Sequence, residues 1–330
     1  MTVAVVILNW NGRSLLEQFL PSVVRYSSDA TIYIADNAST DDSVSFVSEN
    51  YPTVKIIQNK VNGGYAKGYN DALRNLDEDL FVLLNSDVEV TGGWLEPAIS
   101  LFQKDANLAA AQPKILDFQK RDRFEYAGAA GGFIDRLGYP YCRGRIFNTM
   151  ETDNGQYDDI VKIFWATGAC LFIRRSAYLE VEGFDEDFFT HQEEIDLCWR
   201  LQASGRTIMY AGNSVVYHLG GGTLDASNPR KTFYNFRNTL LMLLKNVKGA
   251  KVYGIIFQRL ILDGIAGLRF LLQGKGYHFA SILKAHFSFY SLFPVFLKKR
   301  KKHATTLPYF KIKSVVWKYY ISKKRNFNEL

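Results

Sequence analysis

The sequence holds three cysteines in 330 residues, and Cys142, Cys170 and Cys198 stand far apart with no C-x-x-C pair among them. That spacing excludes a zinc knuckle and a disulfide framework and leaves three ordinary buried thiols as the expectation. No run of 18 uncharged apolar residues occurs, so no membrane-spanning segment is expected. The apolar N-terminal run stops at Leu8 and gives way to Asn9-Trp10-Asn11, too soon for a signal peptide, which predicts a first strand and a cytoplasmic location. Internal repeats, low-complexity linkers, a P-loop and a G-x-G-x-x-G turn are missing as well. Acid is scarce in one place only. Residues 245–330 carry 18 Lys and Arg against two acids, Asp263 and Glu329, a balance of +16; the 22 basic and 31 acidic residues before them leave −9, and the whole chain is +7. An acidic body therefore carries a basic tail, and no nucleic-acid-binding module accompanies that charge.

What is present is globular, with 47% hydrophobic and 22% charged residues and length for two domains or one large one. The first 115 residues alternate strand and helix signals, which predicts a parallel sheet with crossover helices. Strands are expected at 3–8, 31–35, 54–57 and 80–84. Leu15, Leu16, Phe19, Leu20 and Val23 mark one helix face, Ser39 or Thr40 is expected to cap a helix through Val47, and further helices are expected over 66–76 and 94–102. Residues 117–160 read as loops and short irregular strands. A strand at 169–173, a helix at 193–203, short strands at 208–210 and 215–217, and helices from Phe233 onward complete the reading, with apolar stretches at 252–272 and 279–297.

The chemistry gathers at strand ends. Leu80-Phe81-Val82-Leu83-Leu84 reads as a strand buried on both faces that ends in Asn85-Ser86-Asp87, at the sheet edge where α/β proteins bind ligands. A carboxylate there can hold a hard divalent cation, which in turn holds a diphosphate; the alternative is a polar strand-to-helix turn. Asn9-Trp10-Asn11-Gly12 and Asp36-Asn37-Ala38-Ser39 share that edge, with Asp36 able to accept from a base imide or a ribose hydroxyl and Asn9, Trp10 and Asn11 offering amide and stacking contacts, or else serving as capping turns. In Asn62-Gly63-Gly64-Tyr65-Ala66-Lys67-Gly68-Tyr69-Asn70 the two glycines allow a close backbone approach to phosphate or ribose, with helix amides pointing the same way. Lys67 faces either phosphate or solvent. In the acidic stretch 185–200, a carboxylate opening a helix beside a pocket can take a proton from a hydroxyl, while Asp196 and Arg200 are spaced as a surface ion pair. His218 follows a strand and precedes Gly220-Gly221-Gly222, a metal ligand or a hydrogen-bonded histidine beside a loop able to move over a ligand.

Taken in order, these segments, with Gly168-Ala169 and Glu193-Glu194-Ile195-Asp196-Leu197-Cys198-Trp199-Arg200, resemble the family 2 glycosyltransferases of GT-A fold, especially the rhamnosyltransferase-like branch, over roughly residues 2–240. The resemblance implies an α/β fold with a mostly parallel central sheet flanked by helices and a catalytic domain over 1–244; the charge balance and apolar stretches mark residues 245–330 as a basic amphipathic helical region. It implies inverting transfer from a UDP- or dTDP-sugar to a glycan or lipid-linked acceptor in bacterial surface polysaccharide synthesis. Asp36 would bind the base, Asp87 and His218 would hold Mg²⁺ or Mn²⁺, and Glu194 would be the general base with Glu193 as its rival; Asn9, Trp10, Asn11, Asn62, Gly63, Gly64, Lys67, Asn70, Asn85 and Ser86 would line the nucleotide-sugar site. Two departures stand out: Asn85-Ser86-Asp87 replaces the frequent Asp-x-Asp, and Glu193-Glu194 replaces Glu-Asp. The tail, with Lys298-Lys299-Arg300-Lys301-Lys302, reads as helices lying on an anionic membrane surface, or as a helical subdomain packed on the body. Two other functions compete: an inactive membrane-associated scaffold that keeps the nucleotide pocket, and a sugar-nucleotide pyrophosphorylase. The second lacks its expected Gly-rich basic loop after the first strand.

Overall fold

The computed structural model describes residues 1–220 and 228–330; Gly221 and Gly222, read above as part of a moving loop, lie outside the described residues. In chain order the first half forms β1 (Val3–Asn9), α1 (Arg13–Tyr26), β2 (Thr31–Asp36), α2 (Ser43–Asn50), β3 (Lys55–Gln58), α3 (Gly64–Leu73), β4 (Leu80–Asn85), β5 (Val88–Val90), α4 (Leu95–Lys104) and β6 (Leu108–Asp117). Then follow β7 (Gly132–Ile134), β8 (Pro140–Cys142), β9 (Arg145–Ile146), β10 (Thr149–Met150), β11 (Ile160–Lys162), β12 (Cys170–Arg174), α5 (Arg175–Glu180), α6 (Glu193–Ala203), β13 (Thr207–His218), α7 (Pro229–Asn246), α8 (Lys251–Leu272) and α9 (Gly276–His303). The main sheet runs β11-β13-β6-β12-β4-β1-β2-β3, with β5 added on β13. β1 to β4, β6 and β13 all point one way, and only β12, β11 and β5 run against them. The expected, mostly parallel sheet is present. Its strands β1 and β4 are continuous apolar runs because helices cover both faces: α1, for instance, buries Leu16, Phe19, Leu20 and Val23, one stripe at helical spacing.

Three local expectations need correction. Ser39 and Thr40 do not cap α2, which starts at Ser43; the Ser39 hydroxyl is instead taken up by the Asn9 amide and the Asn11 backbone N–H. The short strands at 208–210 and 215–217 are one strand, β13, whose register shifts between Ala211 and Val215 and also at its start, between Thr207 and Ile208. And β6, which sequence reading passed over, lies in the middle of the sheet; the region from 132 to 150 that follows it folds into a separate four-stranded antiparallel sheet, β10-β9-β8-β7.

The register places the chemistry. Asn9 pairs with Asp36 and Leu8 with Asn85, so β1, β2 and β4 end level with one another; β6 and β13 end level at Asp117 and His218 on the same edge. Asn9, Asp36, Asn85 and His218 thus share the carboxyl edge of the sheet, as reading the strand ends in sequence required.

The C-terminal helices are bound to this body. α7 runs across residues 244 and 245, where the charge balance changes, and α9 packs along it, burying Ser281, Ile282, Ala285, Phe289 and Phe296. The pair Asp196 and Arg200 is not a surface pair. Asp196 is fully buried and receives Arg200 Nε at 2.8 Å, Lys245 Nζ at 2.8 Å and Asn246 Nδ2 at 2.8 Å, while Lys245 also reaches Asp185 at 2.7 Å. Removing one member of such a network costs about 3–5 kcal/mol, against a few tenths for an exposed helix pair. The basic run at 298–302 is likewise largely engaged by the body: Lys299 pairs with Asp185 and Asp187, Arg300 donates to the carbonyls of Leu244 in the last turn of α7 and of Val247 and Gly249 just beyond it, and Lys302 pairs with Glu182. Among the described helices, α9 is long and apolar enough to cross a bilayer by length and composition.

Candidate active site

Asn9 is wholly buried at the end of β1, and its amide nitrogen donates to Asp36 Oδ1 at 3.1 Å, Ser39 Oγ at 3.1 Å and Ser43 Oγ at 2.9 Å. The second Asp36 oxygen accepts from the Ser39 N–H at 3.0 Å. Asp36 is thereby fixed with only 3% of its surface exposed, while the Asn9 amide oxygen is buried without a hydrogen-bond partner. Beside them Asn11 adopts φ of 50° and its side-chain oxygen accepts from the Thr40 N–H at 2.7 Å, which ties the two strand-end turns together. Trp10 projects from this edge with 49% of its surface exposed, an indole face open to stacking.

On the other side of β4, the Asn85 N–H donates to the Ala169 carbonyl at 3.0 Å, and its amide nitrogen lies 3.4 Å from His218 Nε2. His218 Nε2 lies 3.1 Å from Asp87 Oδ1, both residues being more than nine-tenths buried. The Leu219 N–H donates to the Asp87 carbonyl, locking β5 onto the end of β13. Ser86 flanks this pair on the Gly12 side. The other imidazole nitrogen, Nδ1, lies 3.1 Å from Glu125 Oε2 but off the line of a hydrogen bond, so the contact is one of charge. Burial works against a charged imidazole, yet Glu125 and Asp87 outweigh it and push His218 up to about 10. Glu125 was not found from the sequence, because it falls in the aperiodic 117–160 region where no spacing rule applies.

This donor set fits a divalent cation. Asp87 Oδ1 and His218 Nε2 converge within one coordination edge, and a carboxylate behind the distal imidazole nitrogen is the arrangement that orients metal-ligating histidines. Among the described residues no three His, Cys, Asp or Glu surround one point, so the protein would supply two strong ligands.

The acidic pair opens α6. Glu193 is buried and Glu194 half-buried, and one carboxylate oxygen of each is buried without a partner. Burial pushes Glu194 up to about 7, against the opposing pull of the backbone N–H groups at the helix start. Burial, with the neighbouring Glu194, holds Glu193 well above the usual carboxyl range. A carboxyl near 7 is matched to accepting a proton at neutral pH.

The glycine motif packs against the loop before α6. Gly64 has φ of 71°, and a Cβ there would meet the Phe189 carbonyl oxygen at 2.6 Å; the N–H groups of Tyr65 and Ala66 both donate to that same carbonyl, at 2.8 and 3.2 Å. The first amides of α3 are thus occupied by the loop before α6, and the space over Gly63 is filled by the Lys67 stem. Lys67 itself pairs with Asp71 at 2.9 Å. Asn62 accepts from Asn37 at 3.0 Å and from the Gly64 N–H at 2.9 Å, and Asn70 donates to the Phe184 carbonyl and accepts from Tyr178 and the Phe184 N–H. Through these contacts the 62–70 segment braces the acidic loop. Gly64→Ala should lower stability by about 1–3 kcal/mol, the range for a strained left-handed position, and a fall in Tm by scanning calorimetry checks it.

Over 233 residues the chain is 27% identical to N-acetylglucosaminyl-diphospho-decaprenol L-rhamnosyltransferase of Mycobacterium tuberculosis, covering 65% of this chain and 75% of that one. It is 24% identical over 247 residues to the low-salt glycan biosynthesis hexosyltransferase Agl10 of Haloferax volcanii, covering 72% and 74%. Among solved structures, the mannosyltransferase PcManGT of Pyrobaculum calidifontis, in complex with GDP-Man and Mn²⁺, superposes with a TM-score of 0.54 at 14% identity, covering 87% of this chain and 86% of that one. GalNAc-T7 with UDP, GalNAc and Mn²⁺ gives 0.58 at 17% identity, covering 76% of this chain but about half, 49%, of that one. These structures share the GT-A fold. The model of the glycosyltransferase-like family 2 matches residues 1–233, and the chain belongs to that family.

Proposed function

We propose that this protein is a metal-dependent, inverting glycosyltransferase that moves a sugar from a UDP- or dTDP-sugar to a hydroxyl of a glycan or lipid-linked acceptor in surface polysaccharide synthesis. The observation that carries the reading is the placement of two unlike carboxylate sites: Asp87 beside His218 at the sheet edge, and Glu194, pushed up to about 7, opening α6. Asn9, Trp10, Asn11 and Asp36 would take the nucleoside, with Trp10 free to stack and Asp36 held for the base or ribose. Mg²⁺ or Mn²⁺ between Asp87 and His218 would supply positive charge for the leaving diphosphate, taking the place of the proton that the imidazole otherwise shares with its carboxylates. Glu194 accepts the acceptor hydroxyl proton as that oxygen bonds the anomeric carbon, and the bond to the diphosphate oxygen breaks with its electron pair. Attack on the face opposite the leaving group inverts the configuration. Calorimetry with UDP or dTDP and Mn²⁺, followed by a hydrolysis screen of UDP- and dTDP-sugars, tests this. Nucleotide binding with no turnover of any donor would favour an inactive scaffold.

The C-terminal helices support a cytoplasmic protein peripheral to the inner membrane face. α8 exposes Tyr253, Phe257, Ile261, Ile265, Leu268 and Leu272, one stripe at helical spacing, and Leu283, Phe287 and Tyr290 continue it on α9. Because most of the 298–302 cations bind the body, the attraction rests on this apolar face, with exposed Arg269, Lys275, Lys298 and Lys301 as its charged border. Phe257, Ile261 and Ile265 replaced together by Ser should lower flotation with anionic vesicles at least about tenfold, given the loss of buried apolar area. Unchanged flotation would remove the membrane face from the account.

A further inference from the structure

We infer that Asn238 and Arg237, successive residues of α7, are positioning residues that hold the 187–192 loop in the strained path from which Glu194 reaches its proton. The inference rests on the reading of Glu194 as the base. Within four positions this loop places three non-glycine residues in the left-handed region: Phe189 at φ 64°, His191 at 67° and Gln192 at 71°. Each such residue costs about 1–3 kcal/mol and persists only where its surroundings over-determine it.

The surroundings do so here. Asn238 is fully buried, and its amide nitrogen lies 3.0, 2.8 and 2.7 Å from the carbonyl oxygens of Phe188, Thr190 and His191, so its two N–H groups are shared among three acceptors. Arg237 Nη2 donates to the carbonyls of Asp187 and Phe188 at 2.9 and 3.1 Å. Its Nε donates to Asn238 Oδ1 at 2.8 Å, which fixes the amide with nitrogen toward the loop. The remaining carbonyl, that of Phe189, faces the opposite way and accepts from α3. Every carbonyl from 187 to 191 is therefore held, four by α7 and one by α3. The same loop carries a second sign of a site: His191 Nε2, Gln192 Oε1, Glu193 Oε2 and Glu194 Oε2 are buried side-chain atoms without hydrogen-bond partners in four successive residues. Buried polar groups are ordinarily paired, so a run of unpaired ones marks atoms held ready for a ligand.

The test uses the full chain, with the UDP- or dTDP-sugar chosen by the hydrolysis screen and with UDP or dTDP plus Mn²⁺ as binding probes. Asn238→Ala removes all three bonds and Asn238→Ser keeps one donor. The expected result is a kcat lowered at least about 30-fold in Asn238→Ala and by a smaller factor in Asn238→Ser, with nucleotide Kd and donor KM within about threefold of wild type, the size of effect that small misplacements have on catalysis. A kcat within twofold of wild type in both variants overturns the proposal, as does a loss of kcat that only tracks the unfolded fraction measured by circular dichroism. If Asn238→Ala does not fold, the Asn238→Ser kcat decides by the same criterion. Glu194→Gln, assayed in parallel, separates the two claims: full turnover by Glu194→Gln sinks the base assignment, whereas a dead Glu194→Gln beside fully active Asn238 variants sinks the clamp alone.

Discussion

Glu194→Gln should bind UDP or dTDP with Mn²⁺ as the unaltered protein does and transfer sugar at least ~100-fold more slowly, the usual scale for loss of a general base. The substitution keeps the shape of the side chain and removes only its capacity to take a proton. Because burial pushes the Glu194 carboxyl up to about 7, the sign of the pH dependence follows. The base must be ionised, so kcat in the unaltered protein should rise roughly tenfold per pH unit below 7 and level off above it. That limb should vanish in the residual activity of Glu194→Gln. Glu193, buried more deeply and held well above the usual carboxyl range by burial and by its neighbour, is not the base in this account, and Glu193→Gln should therefore retain the limb. Steady-state rates from pH 5 to 9 distinguish the two carboxyls.

Asp87→Ala should abolish the Mn²⁺-dependent part of nucleotide binding. Only two strong ligands are offered by the described protein residues, so removing the carboxylate leaves a lone imidazole. Charge stabilisation of a leaving diphosphate amounts to several kcal/mol, and each ~1.4 kcal/mol is tenfold in rate, so the fall in kcat should be about 1,000-fold or more. Calorimetric titration of Mn²⁺ in the presence of UDP or dTDP reads the loss directly, and undiminished Mn²⁺ affinity would take Asp87 out of the site.

The carboxyl edge was legible because a buried parallel strand is a continuous apolar run whose end is marked by the first polar residues. Asn9, Asp36 and Asn85 announce themselves in this way. β6 was not, since Gln112, Pro113 and Lys114 interrupt its apolar pattern; inside the fold Gln112 is satisfied by backbone groups, and Lys114 is neutralised by Asp153 and Asp158, some forty residues on. In the glycine motif Gly64 admits a close backbone approach, and the backbone that approaches it is that of Phe189, more than a hundred residues downstream and outside any local window. Long-range partners explain the other departures too. The acids that take up Lys299 and Lys302 lie at 182–187, and nothing in a local window reveals that a basic run has been neutralised there. Glu125 reaches His218 across the same kind of distance. Residue type and strand position carry the site's chemistry in sequence; which groups brace it is decided by tertiary pairing.

The most direct test of the account is the release of free nucleoside diphosphate from UDP- and dTDP-sugars by the purified protein with Mn²⁺, compared with EDTA and with Glu194→Gln. The account predicts release from at least one donor, lost in EDTA and reduced at least ~100-fold in Glu194→Gln. Release that is indifferent to both EDTA and Glu194→Gln would contradict it.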